Sequence, residues 1–326
     1  MVPVWPTERA WLGALALCLL SPGPVQAQDP APQSRHERLT HLSAHAATPA
    51  ERGELLYAYT CYSCHSLPSG YTLSRHDEFP PSPHLGGGRD MPTVFGTFYA
   101  PNISPHPDQG IGGWTEQDFF RALREGRAPD GRAYWPTFPF MAYTQLSDGD
   151  ISDLWAYLST QPAVESDVLP HDPNFKRGLA IWRWREFEPG AMEPDPQETD
   201  GWNRGRYLVR AVGYCDQCHT PRRKTGFLMD QYDMAGGANP GKDEVHANLT
   251  PDPEFGLVGW TAEDWVHFLS FGHTPDGREM RPEWIMLEKI LEGYRYLPES
   301  DKRAIAEYML SLEPIAFDPV AYEEAW

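Results

Sequence analysis

The chain has 326 residues and a formal net charge of −19. That acidity excludes nucleic acid as a partner, because phosphate backbones bind basic surfaces. It leaves a surface that maintains solubility, or one that docks a partner through that partner's basic patch. Pro at 33 and Gly at 28 suit compact modules with long structured loops, and the length predicts two domains.

Residues 1–27 read as a signal peptide. Arg9 precedes the apolar run Ala10–Leu20, and Val25-Gln26-Ala27 forms a small-residue cleavage site. Cleavage after Ala27 removes Cys18. A lipid-modified Cys18 is the weaker reading, because Leu17 stands where a small residue is needed; an uncleaved anchor is a second alternative. The apolar run is short for a bilayer, and no other run of about 18 apolar residues follows. The expectation is an exported, periplasmic protein, soluble or loosely membrane-associated. Residues 28–50 read as a flexible N-terminal segment.

A short helix opened by Arg52-Gly53 leads into "CYSCH", residues 61–65, and the same grammar returns at "CDQCH", residues 215–219. The cysteines are Cys18, Cys61, Cys64, Cys215 and Cys218. Cys-x-x-Cys alone could be a redox dithiol or half a zinc site. A dithiol expects a strand–helix junction that is not evident here, and zinc leaves both histidines unexplained. Cys-x-x-Cys-His is the attachment signature of c-type haem. The thiols add to the vinyl groups, and the adjacent histidine, His65 or His219, reaches the iron. Two covalent haem c groups account for all four cysteines of the mature chain.

The chain is an internal repeat. "RGELLYAYTCYSCH" from Arg52 answers to "RGRYLVRAVGYCDQCH" from Arg204. "PNISPHPDQGIGGWTEQDF" from Pro101 answers to "ANLTPDPEFGLVGWTAEDW" from Ala247. "EGRAPDGR" ending at Arg132 answers to "FGHTPDGR" ending at Arg278, and "LSDGDISDLWAYL" from Leu146 to "LPESDKRAIAEYM" from Leu297. Four blocks in one order mean two copies of one domain, over 51–164 and 201–326. Each copy reads as helix, loop, helix, loop, helix, so the fold class is all-α with two tandem domains, each wrapped round one haem.

Thr115 with Asp118, and Thr261 with Asp264, have capping-box spacing. Ile151, Leu154, Trp155 and Leu158 form a packing stripe at helical spacing, as do Ile305, Tyr308, Met309 and Leu312. Asn102 and Asn248 match a glycosylation pattern but occupy equivalent places, which favours turn residues. Residues 165–200 form the inter-domain linker. A helix is expected in its middle, with Leu179, Trp182 and Phe187 against another surface, and a Pro- and acid-rich tail follows.

The second axial ligand separates a carrier from an enzyme. A Met thioether opposite the histidine favours the ferrous state, whereas an open position admits small molecules. Met141 lies ten residues after Gly131 and Met286 nine after Gly277, a parallel that makes them the expected ligands. Met91 is the rival in the first copy and Met280 in the second; His106 and His273 are the imidazole alternatives.

The segment "TVFGTFYAPNISPHPDQGIGGWTEQDFFRALREGRAPDGRAYWPTFPFMAYTQLSDGDISDLWAYL" is similar to bacterial di-haem class I cytochromes c. The resemblance is to the cytochrome c subunits of membrane alcohol, aldehyde and gluconate dehydrogenases, over about residues 50–315. It implies small all-α folds, His/Met haems, and electron passage from a dehydrogenase donor to a cytochrome, a quinone-linked complex or an oxidase. Two places where family members carry Met hold Phe138 and Leu146 here, leaving Met141 as the nearest substitute. Those subunits commonly add a third haem domain and a C-terminal membrane helix; this chain has two domains and ends "AYEEAW", which favours a free-standing carrier without substrate chemistry. The alternatives are a di-haem enzyme of peroxidase or thiosulfate-oxidising type, with one open haem site, and a component of a fixed complex docked through residues 165–200.

Overall fold

The computed structural model describes residues 34–68, 84–174, 178–239, 244–277, 280 and 285–325. The proposed signal peptide and Cys18 lie outside these residues.

Helix α1 (Arg35–His45) occupies part of the segment expected to be flexible. Ser34 and Glu37 close a capping box at its start, which satisfies two otherwise orphaned N–H groups. Leu39 and Leu42 are buried, and the Arg35 guanidinium lies 3.6 Å from the Tyr62 ring centroid. This amphipathic stretch docks because it has a core to cover, a contact invisible from composition.

Helix α2 (Pro49–Thr60) runs into the short helix α3 (Tyr62–His65). After the hairpin β1 (Asp90–Thr93) and β2 (Gly96–Tyr99) come α4 (Glu116–Glu125), α5 (Phe140–Tyr143) and α6 (Asp148–Leu158). The linker carries the two-residue strand β3 (Asp172–Pro173), paired with β2, and then α7 (Leu179–Glu186). The second series is α8 (Asp200–Tyr207), a π-helical turn (Leu208–Val212), α9 (Cys215–His219), the hairpin β4 (Gly237–Asn239) and β5 (Glu244–His246), α10 (Ala262–Phe271), α11 (Ile285–Glu292), α12 (Glu299–Leu310) and α13 (Pro319–Glu324). The architecture is helical, as the repeat pattern suggested, with strands of two to four residues added in the loops. The short hairpins arise in loops that must satisfy their backbone groups while lying close against the motif helices.

Arg-Gly does not open α2 or α8. Thr48 caps α2 at Pro49, and Thr199 caps α8 at Asp200. The pair instead fixes a helix crossing. A Cβ on Gly53 would come within 1.9 Å of the Asp153 carbonyl oxygen on α6, and one on Gly205 within 1.9 Å of that of Ala304 on α12. Beside each glycine, the arginine forks onto an aspartate: Arg52 Nε and Nη2 donate to Asp153 at 2.7 and 2.8 Å, and Arg204 to Asp301 at 3.0 and 2.7 Å. The Gly permits backbone contact, and the Arg–carboxylate fork sets register beside it.

The capping boxes at Thr115 and Thr261 form as the spacing predicts. Asn102 and Asn248 are buried. Asn102 Oδ1 accepts from Ser104 N–H and Asn248 Oδ1 from Thr250 N–H, while their amides donate to Val164 and Ile315 carbonyls. They are turn residues tied to the segment that follows each closing helix. Ile151, Leu154 and Leu158 join one hydrophobic cluster with Ile305, Tyr308 and Met309.

Between the two series, the Arg89 guanidinium grips the Glu288 carboxylate through bonds of 2.7 and 3.0 Å, both side chains buried. Arg35 donates to Glu292 at 2.9 Å. Together they hold α11 against the first Cys-x-x-Cys-His segment. Among the described residues no helix is long and apolar enough to cross a membrane.

Candidate haem-binding site

The two Cys-x-x-Cys-His segments fold alike. Helical turns of α3 and α9 bring the spaced thiols and the histidine to one wall. His65 Nδ1 bonds the Pro101 carbonyl at 2.8 Å, and His219 Nδ1 bonds the Ala247 carbonyl at 2.7 Å. A carbonyl partner requires the proton on Nδ1, which leaves Nε2 with a free lone pair, as iron ligation needs. The loop ahead of β1 and the start of β4 are anchored to the same turns: Gly87 N–H bonds His65 O at 2.9 Å and Gly236 N–H bonds His219 O at 2.8 Å. Each hairpin thus stands beside its motif, and the residues just after it, Pro101 and Ala247, supply the carbonyls that orient the imidazoles.

Both motifs line one continuous cavity of about 2080 Å³. Single small-molecule sites usually run about 300–1,000 Å³, so the space suits two large prosthetic groups. Cys61, Cys64, His65, Cys215, Cys218 and His219 all border it. Much of the remaining lining is aromatic or aliphatic, including Trp114, Phe119 and Leu154 in the first half and Trp260, Phe268 and Met309 in the second. Among the described residues that line it, the arginines Arg132, Arg222 and Arg223 outnumber the one carboxylate, Glu244. In a chain this acidic, that local reversal complements an apolar macrocycle bearing carboxylates.

The electrostatics argue against the dithiol reading. Burial pushes the thiols of Cys61 and Cys215 up to about 12 and raises that of Cys218, whereas reactive dithiols have a depressed value. Burial lowers His65 to about 4, against its Pro101 hydrogen bond, and lowers His219 likewise. Both imidazoles are neutral, the form that coordinates iron. Among the described residues no group of three or more His, Cys, Asp or Glu side chains is arranged to hold a bare metal ion, so the four cysteines do not form a zinc cluster. The residues fit covalent haem.

The methionines divide. Met286, on α11, borders the cavity, as do Met280 and Met91. Met141 does not. The single turn of α5 directs Phe140 and Tyr143 into the protein and leaves Met141 half-buried outside the lining. Met141 lies on the four-residue α5 and Met286 on the eight-residue α11. Phe138 and Leu146 border the cavity, whereas His106 and His273 do not. Sequence reasoning missed His171, which borders the cavity beside Phe98, and Lys289. Neither has a recognisable spacing from a motif.

Where the motifs approach each other, Tyr143 meets Tyr214 edge to face at 5.9 Å between centroids. Tyr214 precedes Cys215 and takes a left-handed backbone, φ 43°. Its hydroxyl accepts a hydrogen bond from Lys289 Nζ, which lies 4.2 Å from its ring centroid.

Residues 50–162 match the Cytochrome c family. A "Diheme cytochrome c-type" protein of Cereibacter sphaeroides is 37% identical over 268 residues, 80% of this chain and 84% of that protein. The "Fructose dehydrogenase cytochrome subunit" of Gluconobacter japonicus is 33% identical, over 84% of this chain and 54% of its own length. The "Gluconate 2-dehydrogenase cytochrome c subunit" of Pantoea cypripedii is 32% identical, over 80% of this chain and 59% of its own length. The match thus spans most of the first relative but little more than half of the two dehydrogenase components. The attachment motifs, the cavity they share and these relationships together place the chain in the cytochrome c family.

Proposed function

We propose that this protein is a di-haem c-type cytochrome that carries electrons one at a time between a dehydrogenase and a respiratory acceptor. The observation that carries the reading is the pair of Cys-x-x-Cys-His motifs, each with its histidine oriented by a backbone carbonyl, on one cavity. Cys61 and Cys64 hold one haem with His65 as ligand; Cys215 and Cys218 hold the other with His219. Haem supplies an iron that cycles between ferric and ferrous without proton chemistry. The protein keeps each imidazole neutral and oriented, surrounds the site with apolar side chains and supplies cations for the carboxylates.

Met286, which borders the cavity, would supply a thioether to the second haem in this reading. In the first half, residues 132–139 line the cavity with Tyr134, Trp135 and Phe138 among others and contribute no sulfur or imidazole; Met91 is the cavity-facing thioether there. The domain division at 51–164 and 201–326, and export through residues 1–27, belong to the same reading. Attachment outside the cytoplasm suits a cofactor that must not be lost.

The relatives named as dehydrogenase subunits support a dehydrogenase as donor; a cytochrome, a quinone-linked complex or an oxidase serves as acceptor. The cavity edge includes the exposed apolar residues Val94, Ile181, Val245 and Val320, a rim against which a partner can exclude water near the haems. Intact mass and the pyridine haemochrome spectrum of the matured protein test the proposal. Two covalent haems are expected, falling to one in Cys61→Ala/Cys64→Ala and in Cys215→Ala/Cys218→Ala. One haem in the unaltered protein would refute it.

A further inference from the structure

Lys289 sits on α11, three residues after Met286, and is half-buried where it borders the cavity. Its ammonium bonds Tyr214, the residue before Cys215 of the second motif, and Arg89 ties the neighbouring Glu288 on the same helix to the Ser63 carbonyl inside the first motif. It therefore lies between the two attachment motifs rather than beside one. Tyr214 fixes it there by accepting its hydrogen bond and offering a ring face. The left-handed backbone at Tyr214 is uncommon for a bulky residue, and Tyr143 packs against the same ring. The carboxylate next along α11, Glu288, is already taken by Arg89. Among the described residues, no carboxylate makes an ion pair with Lys289.

A half-buried cation without a carboxylate partner is costly, and hydrogen bonding to one phenol is modest compensation. Its position has a clear electrostatic consequence. Adding one electron at either iron removes one unit of positive charge from the site. A fixed cation nearby therefore favours the reduced form, and does so more strongly in a water-poor interior than at the surface.

We propose that Lys289, held by Tyr214, is a shared positive charge that keeps both haems easier to reduce. The inference rests on the di-haem reading above. It assigns to one side chain an effect on two redox centres, with electrons supplied by the dehydrogenase partner and passed on to the acceptor, one per haem.

The test uses matured holoprotein carrying Lys289→Met, Lys289→Gln, Lys289→Arg or Lys302→Met. Lys302 is the informative control: it is buried, but its ammonium bonds Ser270 Oγ and the Arg295 carbonyl, away from the cavity. Midpoint potentials of both haems are read by spectroelectrochemistry, with haem content and low-spin spectra confirming intact sites. Lys289→Met and Lys289→Gln are expected to lower both potentials, each by a roughly tenfold change in the reduction equilibrium, about 59 mV for one electron. Lys289→Arg restores most of the loss, and Lys302→Met leaves both values in place. Both haems present with neither potential lowered, or only one, overturns the inference. An equal loss with Lys302→Met also overturns it, since the effect would then be general. Fewer than two haems in the unaltered protein overturns the di-haem reading itself.

Discussion

Tyr143 and Tyr214 meet edge to face, 5.9 Å between ring centroids, one from each half of the repeat. This contact joins the walls around the two attachment motifs. With the shared cavity, it makes the two halves one redox unit in the di-haem reading.

The methionines give the sharpest spectroscopic contrast. Met286 borders the cavity and Met141 does not. Met286→Leu is expected to abolish the sulfur-to-iron charge-transfer band of one haem and lower its potential, since a thioether favours ferrous iron. Met141→Leu is expected to leave both haem spectra unchanged. Near-infrared absorption and carbon monoxide difference spectra of the two variants decide the assignment.

Gly53→Ala and Gly205→Ala place a Cβ where a carbonyl oxygen of the facing helix already sits. Neither backbone can give way without separating the helices. Each variant is expected to lose at least ~1–3 kcal/mol, the usual cost of overpacking, measured by denaturant unfolding of the holoprotein. Gly149→Ala, whose Cβ would meet nothing nearer than Ser147 Oγ at 3.8 Å, is the tolerated comparison.

The Arg89–Glu288 pair is enclosed on both sides, with 10% and 5% of the side chains exposed. Removing one partner strands the other charge. Arg89→Met is expected to cost about 3–5 kcal/mol, and Arg89→Met with Glu288→Leu to recover most of it. A double-variant cycle in equilibrium unfolding measures the difference.

Acid sensitivity follows from the capping boxes. Hydrogen bonds from the Thr115 side chain and backbone hold Asp118 below its usual value, and those of Thr261 hold Asp264 below its own. A carboxylate depressed on folding contributes fully above its unfolded value, near 3.8, and loses that contribution as pH falls through the folded one. Asp118→Asn/Asp264→Asn should therefore be less stable than the parent at neutral pH. The gap should narrow below about pH 4, as read from thermal midpoints across a pH series.

The parts of this protein that repeat were the parts legible in its sequence. The Cys-x-x-Cys-His motifs, the capping boxes at Thr115 and Thr261 and the stripes of α6 and α12 are local patterns, and each carries its meaning within a few residues. The Arg-Gly pairs were visible but misread as helix starts, because their purpose is a crossing with a partner about 100 residues away. Helix α1 was hidden for the same reason: Leu39 and Leu42 look like isolated apolar residues until the core they cover is known. The spacing that paired Met141 with Met286 does not say which side chain borders the cavity, and of the two only Met286 does. Lys289 and Tyr214 had no signature at all, since their roles exist only where the two copies meet.

The most direct test of two haems in one cavity is electron paramagnetic resonance of the fully oxidised holoprotein, compared with the single-haem variants Cys61→Ala/Cys64→Ala and Cys215→Ala/Cys218→Ala. Two haems sharing the cavity predict spin–spin interaction in the unaltered protein, seen as broadening and faster relaxation that both variants lose. A spectrum equal to the sum of the two variants would mean that the haems do not sense each other, and would contradict a shared site.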